Sequence, residues 1–228
     1  GGSGNDQLAG DSANIAINGL NFLLTSTDTA TGGNDTVSGD SGDDILVGGA
    51  GKDTLSGNSG RDLLVGDNAE VLFTESGRML RMMSTATTDG DDDLLDVTGS
   101  EGADFLVGGV GQDTINGGPG SNADVLLGDH GVIHGDDGSA QAWHVYTTAP
   151  GNGDVDQLNG GPGDDVILGG SGGSDASGVG GDVINGDAGS DFIAGDQAYV
   201  TRDAGERVIR LEAEHAEPLY IAALTTGG

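Results

Sequence analysis

The chain has 228 residues, 47 of them Gly, and sets 38 acidic against seven basic side chains, for a formal net charge of −31. That balance excludes a nucleic-acid partner, whose phosphates demand Lys and Arg, and disfavours an anionic membrane surface, while the absence of Cys excludes disulfides and thiolate metal sites. Aromatic residues at 4% are too few for a thick core, and seven Glu leave 31 Asp, so the natural partners are cations gathered by short carboxylates in tight turns.

Residues 1–13 read as the end of a repeat block, with Asp6 followed two places later by Leu8. Residues 14–31 read as a β-hairpin. Ile15 and Ile17 run into Asn18-Gly19, a favoured type I′ turn, and the chain returns through Phe22 and Leu24. Residues 32–68 are a block of nonapeptides, G-G-x-G-x-D-x-U-x, in which U is a large aliphatic residue. Asp35, Asp44, Asp53 and Asp62 hold the sixth place at a spacing of nine, and Val37, Leu46, Leu55 and Leu64 follow two places on. Residues 69–88 form a second hairpin, with Val71 and Phe73, a turn at Glu75-Ser76-Gly77, and a return strand from Met79 to Met83.

Residues 89–130 repeat the block with Asp93, Asp104, Asp113 and Asp124, and aliphatic Leu95, Leu106, Ile115 and Leu126. Residues 131–150 form a third hairpin, from Ile133 through Asp136-Asp137-Gly138 to the strand Trp143 to Tyr146. Residues 151–197 carry Asp156, Asp165, Asp182 and Asp191 with Leu158, Ile167, Ile184 and Ile193, and a Gly/Ser-rich insertion from Gly173 to Gly180. Residues 198–228 hold a fourth hairpin, Val200 to Asp203-Ala204-Gly205 and back through Val208 to Leu211, and the start of another block. Thr225-Thr226-Gly227-Gly228 matches Ala30-Thr31-Gly32-Gly33, so a longer parent protein is expected.

Thirteen units in one register make this pattern specific; a flexible Gly-rich linker has no reason to hold an aliphatic residue two places after Asp. The sequence resembles the RTX, or haemolysin-type calcium-binding, repeat family. The resemblance implies that each G-G-x-G-x-D turn binds Ca²⁺, that each x-U-x is a short strand, and that two units make one turn of a right-handed parallel β-roll. The expected fold is therefore all-β: RTX blocks interrupted by hairpins. The degenerate units that close each block begin at Gly10, Gly66, Gly128 and Gly195, spaced by 56, 62 and 67 residues. In them Ile15, Val71, Ile133 and Val200 replace the sixth-place Asp, so the Ca²⁺ ligand is expected to be lost there.

The physics agrees with the resemblance. Ca²⁺ takes six to eight oxygen ligands, and Gly lets backbone carbonyls turn towards an ion at angles closed to other residues. Clustered carboxylates repel without the ion, so binding and folding are expected to be coupled. Low cytosolic and high extracellular Ca²⁺ then place folding after export, and the expected location is extracellular or at the cell surface.

The hairpins hold six of the eight aromatic residues (Phe22, Phe73, Trp143, Tyr146, Tyr199 and Tyr220) and five of the seven basic ones (Arg78, Arg81, Arg202, Arg207 and Arg210). They are expected to pack on one another and protect the roll, or to offer a face to glycans, other proteins or neighbouring repeats. No enzyme is expected: Gly39-Asp40-Ser41-Gly42 resembles a protease nucleophile motif, but Gly57-Asn58-Ser59-Gly60 shows that Ser41 stands at a variable loop position. A zinc or copper pair at His130 and His134 is the weaker metal reading, and no apolar stretch is long enough to span a membrane. Three roles remain: a structural or adhesive segment of a large secreted protein, a folding and secretion module of a type I-secreted toxin or enzyme, and a ligand-binding face on the hairpins.

Overall fold

The computed structural model describes residues 1–76, 78–100, 102–135, 144–149, 151–171, 181–202 and 208–213. The turns expected at Asp136-Asp137-Gly138 and Asp203-Ala204-Gly205 lie outside those residues, as do Gly77, Trp143, Arg207, His215, Tyr220, Gly173–Gly180 and Thr225–Gly228. The described residues form strands and loops without helix, in three sheets. Accordingly no helix among them is long and apolar enough to cross a membrane.

Two seven-stranded parallel sheets make the β-roll. The first, here the outer sheet, stacks Gly2–Ser3, Thr36–Ser41, Thr54–Ser59, Leu94–Asp96, Thr114–Asn116, Gln157–Asn159 and Val183–Asn185. The second, the middle sheet, stacks Gln7–Ala9, Ile45–Val47, Leu63–Val65, Phe105–Val107, Val125–Leu127, Val166–Leu168 and Phe192–Ala194. Successive nonapeptides alternate between the sheets, so a coil takes two units. The aliphatic places fall in register: Val37, Leu55, Leu95, Ile115, Leu158 and Ile184 on the outer sheet, and Leu8, Leu46, Leu64, Leu106, Leu126, Ile167 and Ile193 on the middle one. They face each other and close a thin, single-layer core between the sheets.

The roll itself is continuous. Thr54–Ser59 pairs directly with Leu94–Asp96 although the second hairpin lies between them in the chain, and Leu63–Val65 pairs with Phe105–Val107. The hairpins interrupt the chain but not the stack. They join one another instead, in an eight-stranded antiparallel sheet ordered Val208–Ala213, Ala198–Arg202, His144–Thr147, Gly131–His134, Met79–Ser84, Ala69–Thr74, Asn21–Ser26, Ala13–Asn18. The spacing explains why they can. Between successive hairpins the roll advances by two coils, each about 4.8 Å, and each hairpin supplies two strands of the same spacing. The hairpin sheet and the roll therefore grow in step.

The hairpin sheet lies on the middle sheet. Leu24, Val71, Met82, Ile133, Val145 and Val200 occupy one register row across it, and all are buried in a second core against the middle sheet. This second core explains a difference between alternate units. Middle-sheet strands from Ile45–Val47 onward are apolar at all three places, as in Ile45-Leu46-Val47 and Phe105-Leu106-Val107, because the aliphatic place faces the roll and its two flanks face the hairpins. Most outer-sheet strands flank the same place with polar residues, as in Thr54-Leu55-Ser56 and Thr114-Ile115-Asn116, because their other face meets solvent, where the flanks Leu94 and Val183 are exposed.

The first hairpin turns one residue later than its sequence suggests. Asn18 pairs with Asn21, so the two-residue loop is Gly19-Leu20 and not Asn18-Gly19. Gly19, at φ +70°, takes the first central position, which is the type II′ requirement for Gly and places Asn18 in the strand.

Candidate calcium-binding loops

The sixth-place Asp residues form two ladders, one at each edge of the roll. In the first, the backbone N–H of Asp6 donates to Oδ1 of Asp44, and the pattern passes through Asp62, Asp104, Asp124 and Asp165 to Asp191. In the second it runs from Asp35 through Asp53, Asp93, Asp113 and Asp156 to Asp182. The donor–acceptor distances lie between 2.6 and 3.2 Å. All thirteen residues singled out by spacing thus occupy one structural role, and nine of them, from Asp44 to Asp165, are buried.

Each ladder bond uses one carboxylate oxygen. The other, Oδ2, is sealed from solvent and accepts no hydrogen bond in Asp44, Asp53, Asp62, Asp93, Asp113 and Asp156. It points into a space kept open by the first Gly of the unit. A Cβ on Gly66 would meet Oδ2 of Asp93 and lie 2.7 Å from the carbonyl oxygen of Gly108, and one on Gly39 would meet Oδ2 of Asp44 and lie 2.9 Å from that of Gly57. The same pairing of an Asp oxygen with a Gly carbonyl recurs at Gly48, Gly108, Gly117, Gly128 and Gly169. A side chain at these places would fill the cradle, which is the physical reason for Gly there.

Burial without a counter-charge raises these carboxyl pKa values. Desolvation is the first cause throughout, with neighbouring carboxylates adding to it and the ladder amide opposing it. Asp53, Asp104 and Asp182 are pushed up to about 6, Asp62 to about 7, and Asp93, Asp124 and Asp156 to about 8. Asp113, between Asp156 and Asp93, is raised well above the usual range. Ionised carboxylates so placed call for a cation.

The donors are all oxygen. Among the described residues no three His, Cys, Asp or Glu side chains converge on one point, so an ion in a cradle would take one or two carboxylate oxygens and complete its shell from backbone carbonyls. Hard, oxygen-only donor sets of this kind suit Ca²⁺ and not the softer transition metals. The His130–His134 pair does not form a site. His130 is buried and its Nε2 lies 3.2 Å from the carbonyl oxygen of Thr87, whereas His134 sits on the hairpin sheet with its ring 6.4 Å from those of His144 and Tyr146. His130 precedes the strand that His134 ends, their rings have separate partners, and among the described residues no group of three or more His, Cys, Asp or Glu side chains that could hold a metal forms.

Asp53→Asn is expected to lower the number of bound Ca²⁺ ions by at least one, and Asp40→Asn to leave it unchanged. Asp53 is 1% exposed with an orphaned oxygen. Asp40 is exposed at the second place of its unit, at φ +75°, where Asp and Asn are both tolerated. Equal losses in the two variants, measured by equilibrium dialysis, would place the ligands elsewhere.

Two further buried carboxylates escaped the sixth-place pattern. Asp67 and Asp129, each 1% exposed, stand in the degenerate units that lead into hairpins. Desolvation and neighbouring carboxylates push Asp67 to about 9 and Asp129 to about 7. The recurrent Gly-Asp at 10–11, 66–67, 128–129 and 195–196 was their signal in the sequence.

A family model described as the RTX calcium-binding nonapeptide repeat matches the chain in four copies, at residues 29–64, 87–124, 150–173 and 177–198. The matched segments hold most of the roll units, and most hairpin residues fall between them. No curated protein and no solved structure matches the chain.

Proposed function

Since the chain belongs to the family of RTX calcium-binding nonapeptide repeats, we propose that it is a structural or adhesive segment of a large secreted or cell-surface protein, non-catalytic, which folds as it binds Ca²⁺ outside the cell. The observation that carries this reading is the pair of Asp ladders, whose orphaned oxygens lie sealed against Gly carbonyls. A roll with this many uncompensated carboxylates is poorly stable alone, and an ion that binds only the folded state adds its binding free energy to folding.

The hairpin sheet supports a structural role. It shields one whole face of the roll and thickens the stack to three sheets, and each superrepeat lengthens it by about 10 Å. Such a three-layer rod suits a spacer or stalk. Export by a type I secretion machine fits the same scheme, because a chain that stays unfolded at low Ca²⁺ remains threadable.

The test is far-UV circular dichroism during a Ca²⁺ titration, with Mg²⁺ and a chelator as controls. A cooperative transition from coil to β, produced by Ca²⁺ and not by Mg²⁺, is expected. A spectrum indifferent to Ca²⁺ and to the chelator would sink the proposal.

A second reading has its own observation. The solvent side of the hairpin sheet carries a row of rings: Tyr146 and Tyr199 stack at 5.7 Å, His144 and Tyr199 at 5.9 Å, and the Tyr199 hydroxyl bonds Nδ1 of His144 at 3.1 Å. Flat, hydrogen-bonded rings of this kind suit a sugar face or a protein partner. Binding of the Ca²⁺-loaded chain to a glycan array, lost in Tyr146→Ala, would support it; an array without a hit would remove the glycan version.

A further inference from the structure

The first three hairpins each start where a roll unit has Asp in its second place, at Asp11, Asp67 and Asp129. Elsewhere this place belongs to a loop with positive φ, as at Asp40, Asn58 and Asp187. The three junction Asp residues do not adopt it, and the chain passes from them into a strand instead of turning round the roll. Their carboxylates are thereby turned inward. Each junction Asp is strapped to the following coil: the N–H groups of Asp11, Asp67 and Asp129 donate to the carbonyls of Gly48, Gly108 and Gly169, at 3.1, 3.3 and 3.2 Å. Their Oδ2 atoms accept from the amides of Ala50, Val110 and Ser171, two residues further along the same loops.

The carboxylates are also enclosed in the same way. Asp67 is pressed between Gly90 and Gly109, and Asp129 between Gly153 and Gly170, so closely that a Cβ on any of these glycines would collide with it. Oδ1 of Asp67 and Oδ1 of Asp129 are sealed from solvent and accept no hydrogen bond, although the amides of Asp91 and Asp154 lie near enough to lower the two pKa values somewhat. This is the division of labour seen in the sixth-place ladders, with one oxygen tied to an amide and the other orphaned. Asp11 differs, since its Oδ1 accepts from Gly33.

A hydrogen-bond strap alone does not need a charge. A neutral amide oxygen could accept such a strap equally well. Burying a carboxylate beside Asp53 and Asp93, or beside Asp154 and Asp182, is unfavourable unless a cation is drawn in. Resting on the reading that the ladders bind Ca²⁺, we propose that Asp67 and Asp129 each ligate a further Ca²⁺ at the hairpin junctions, a third line of sites outside the nonapeptide pattern. Oδ1 supplies the charged ligand, and backbone carbonyls of the enclosing loops supply the rest. The ion would pin the root of each hairpin to the coil that follows, coupling the hairpin sheet to the filling of the roll.

The test counts ions. Equilibrium dialysis with radioactive Ca²⁺ is run on the unaltered chain, on Asp67→Asn/Asp129→Asn and on Asp53→Asn. The double variant is expected to bind two fewer ions and Asp53→Asn at least one fewer. A double variant with the full count, beside a loss in Asp53→Asn, overturns the junction sites and leaves the ladders standing. No loss in any variant overturns the ladders as well. If the double variant fails to fold, anomalous diffraction from crystals of the unaltered chain grown in Ca²⁺ decides. Peaks within about 2.3–2.6 Å of Oδ1 of Asp67 and Asp129 are expected, and peaks confined to the ladders would refute the proposal.

Discussion

In Ca²⁺-free buffer the folded chain is expected to become more stable as pH falls from about 9 to about 4, the reverse of ordinary acid denaturation. The unfolded carboxyls titrate near 3.9, whereas burial pushes Asp53 to about 6, Asp62 to about 7, Asp93 to about 8 and Asp67 to about 9 in the fold. A folded pKa above the unfolded value means that the native state binds more protons across this window. Its contribution to stability is therefore complete below about pH 4 and is lost as pH rises through the folded values. Desolvation causes the shift, so the effect should be strong in the middle of the stack, around Asp93, Asp113 and Asp156. Saturating Ca²⁺ should invert the dependence, because the ion competes with the proton for the same oxygens and wins only when they are ionised. Thermal melts followed by circular dichroism at pH 4.5, 6 and 8, in metal-stripped and in Ca²⁺-loaded samples, measure both slopes. A metal-free melting temperature that rises with pH would contradict the buried, uncompensated state of these carboxylates.

Leu106→Ala is expected to destabilise the Ca²⁺-loaded chain by about 2–5 kcal/mol, the range for a large-to-small change in a closed core. Leu106 is fully buried between Leu64 and Leu126 in the middle-sheet row of the aliphatic layer that fills the roll. A core one residue thick cannot collapse into the hole from another layer, and the roll depends on contacts between neighbouring coils. The loss should therefore also raise the Ca²⁺ concentration at the folding midpoint. Leu94→Ala is the comparison. Leu94 flanks an aliphatic place on the outer sheet, is 36% exposed, and should change stability by no more than about 0.5 kcal/mol. Urea unfolding of both variants in saturating Ca²⁺ gives the numbers, and similar losses for the two would mean that the roll core is not where the register puts it.

The hairpins show where a local reading stops. Asn18-Gly19 carries the strongest short-range turn signal in the first hairpin, yet the loop is Gly19-Leu20. The strand register won: Ile15, Leu24 and Val71 fall in one row across the sheet, and a loop at Asn18-Gly19 would pair Ile15 with Phe22 and take it out of that row. The His130–His134 spacing was likewise legible as a motif but gathers no metal-binding cluster, since His130 is buried against the Thr87 carbonyl and His134 packs among the rings of His144 and Tyr146.

By itself, the sequence determined what repeats locally. The period of nine places Asp at the end of each turn and an aliphatic residue two places later, and a loop whose positive-φ places are mostly Gly leaves the chain little else to form. The thirteen ladder residues, the strands of the roll and the position of every described hairpin follow from that period. Tertiary structure decided what depends on distant segments meeting. The hairpins fuse into one sheet because two hairpin strands match the advance of two coils. The middle sheet needs apolar flanks because that sheet has two buried faces. Asp67 and Asp129 become sealed carboxylates only once the next coil has closed over them; burial and desolvation belong to the neighbours a residue acquires on folding, and no spacing along the chain contains them.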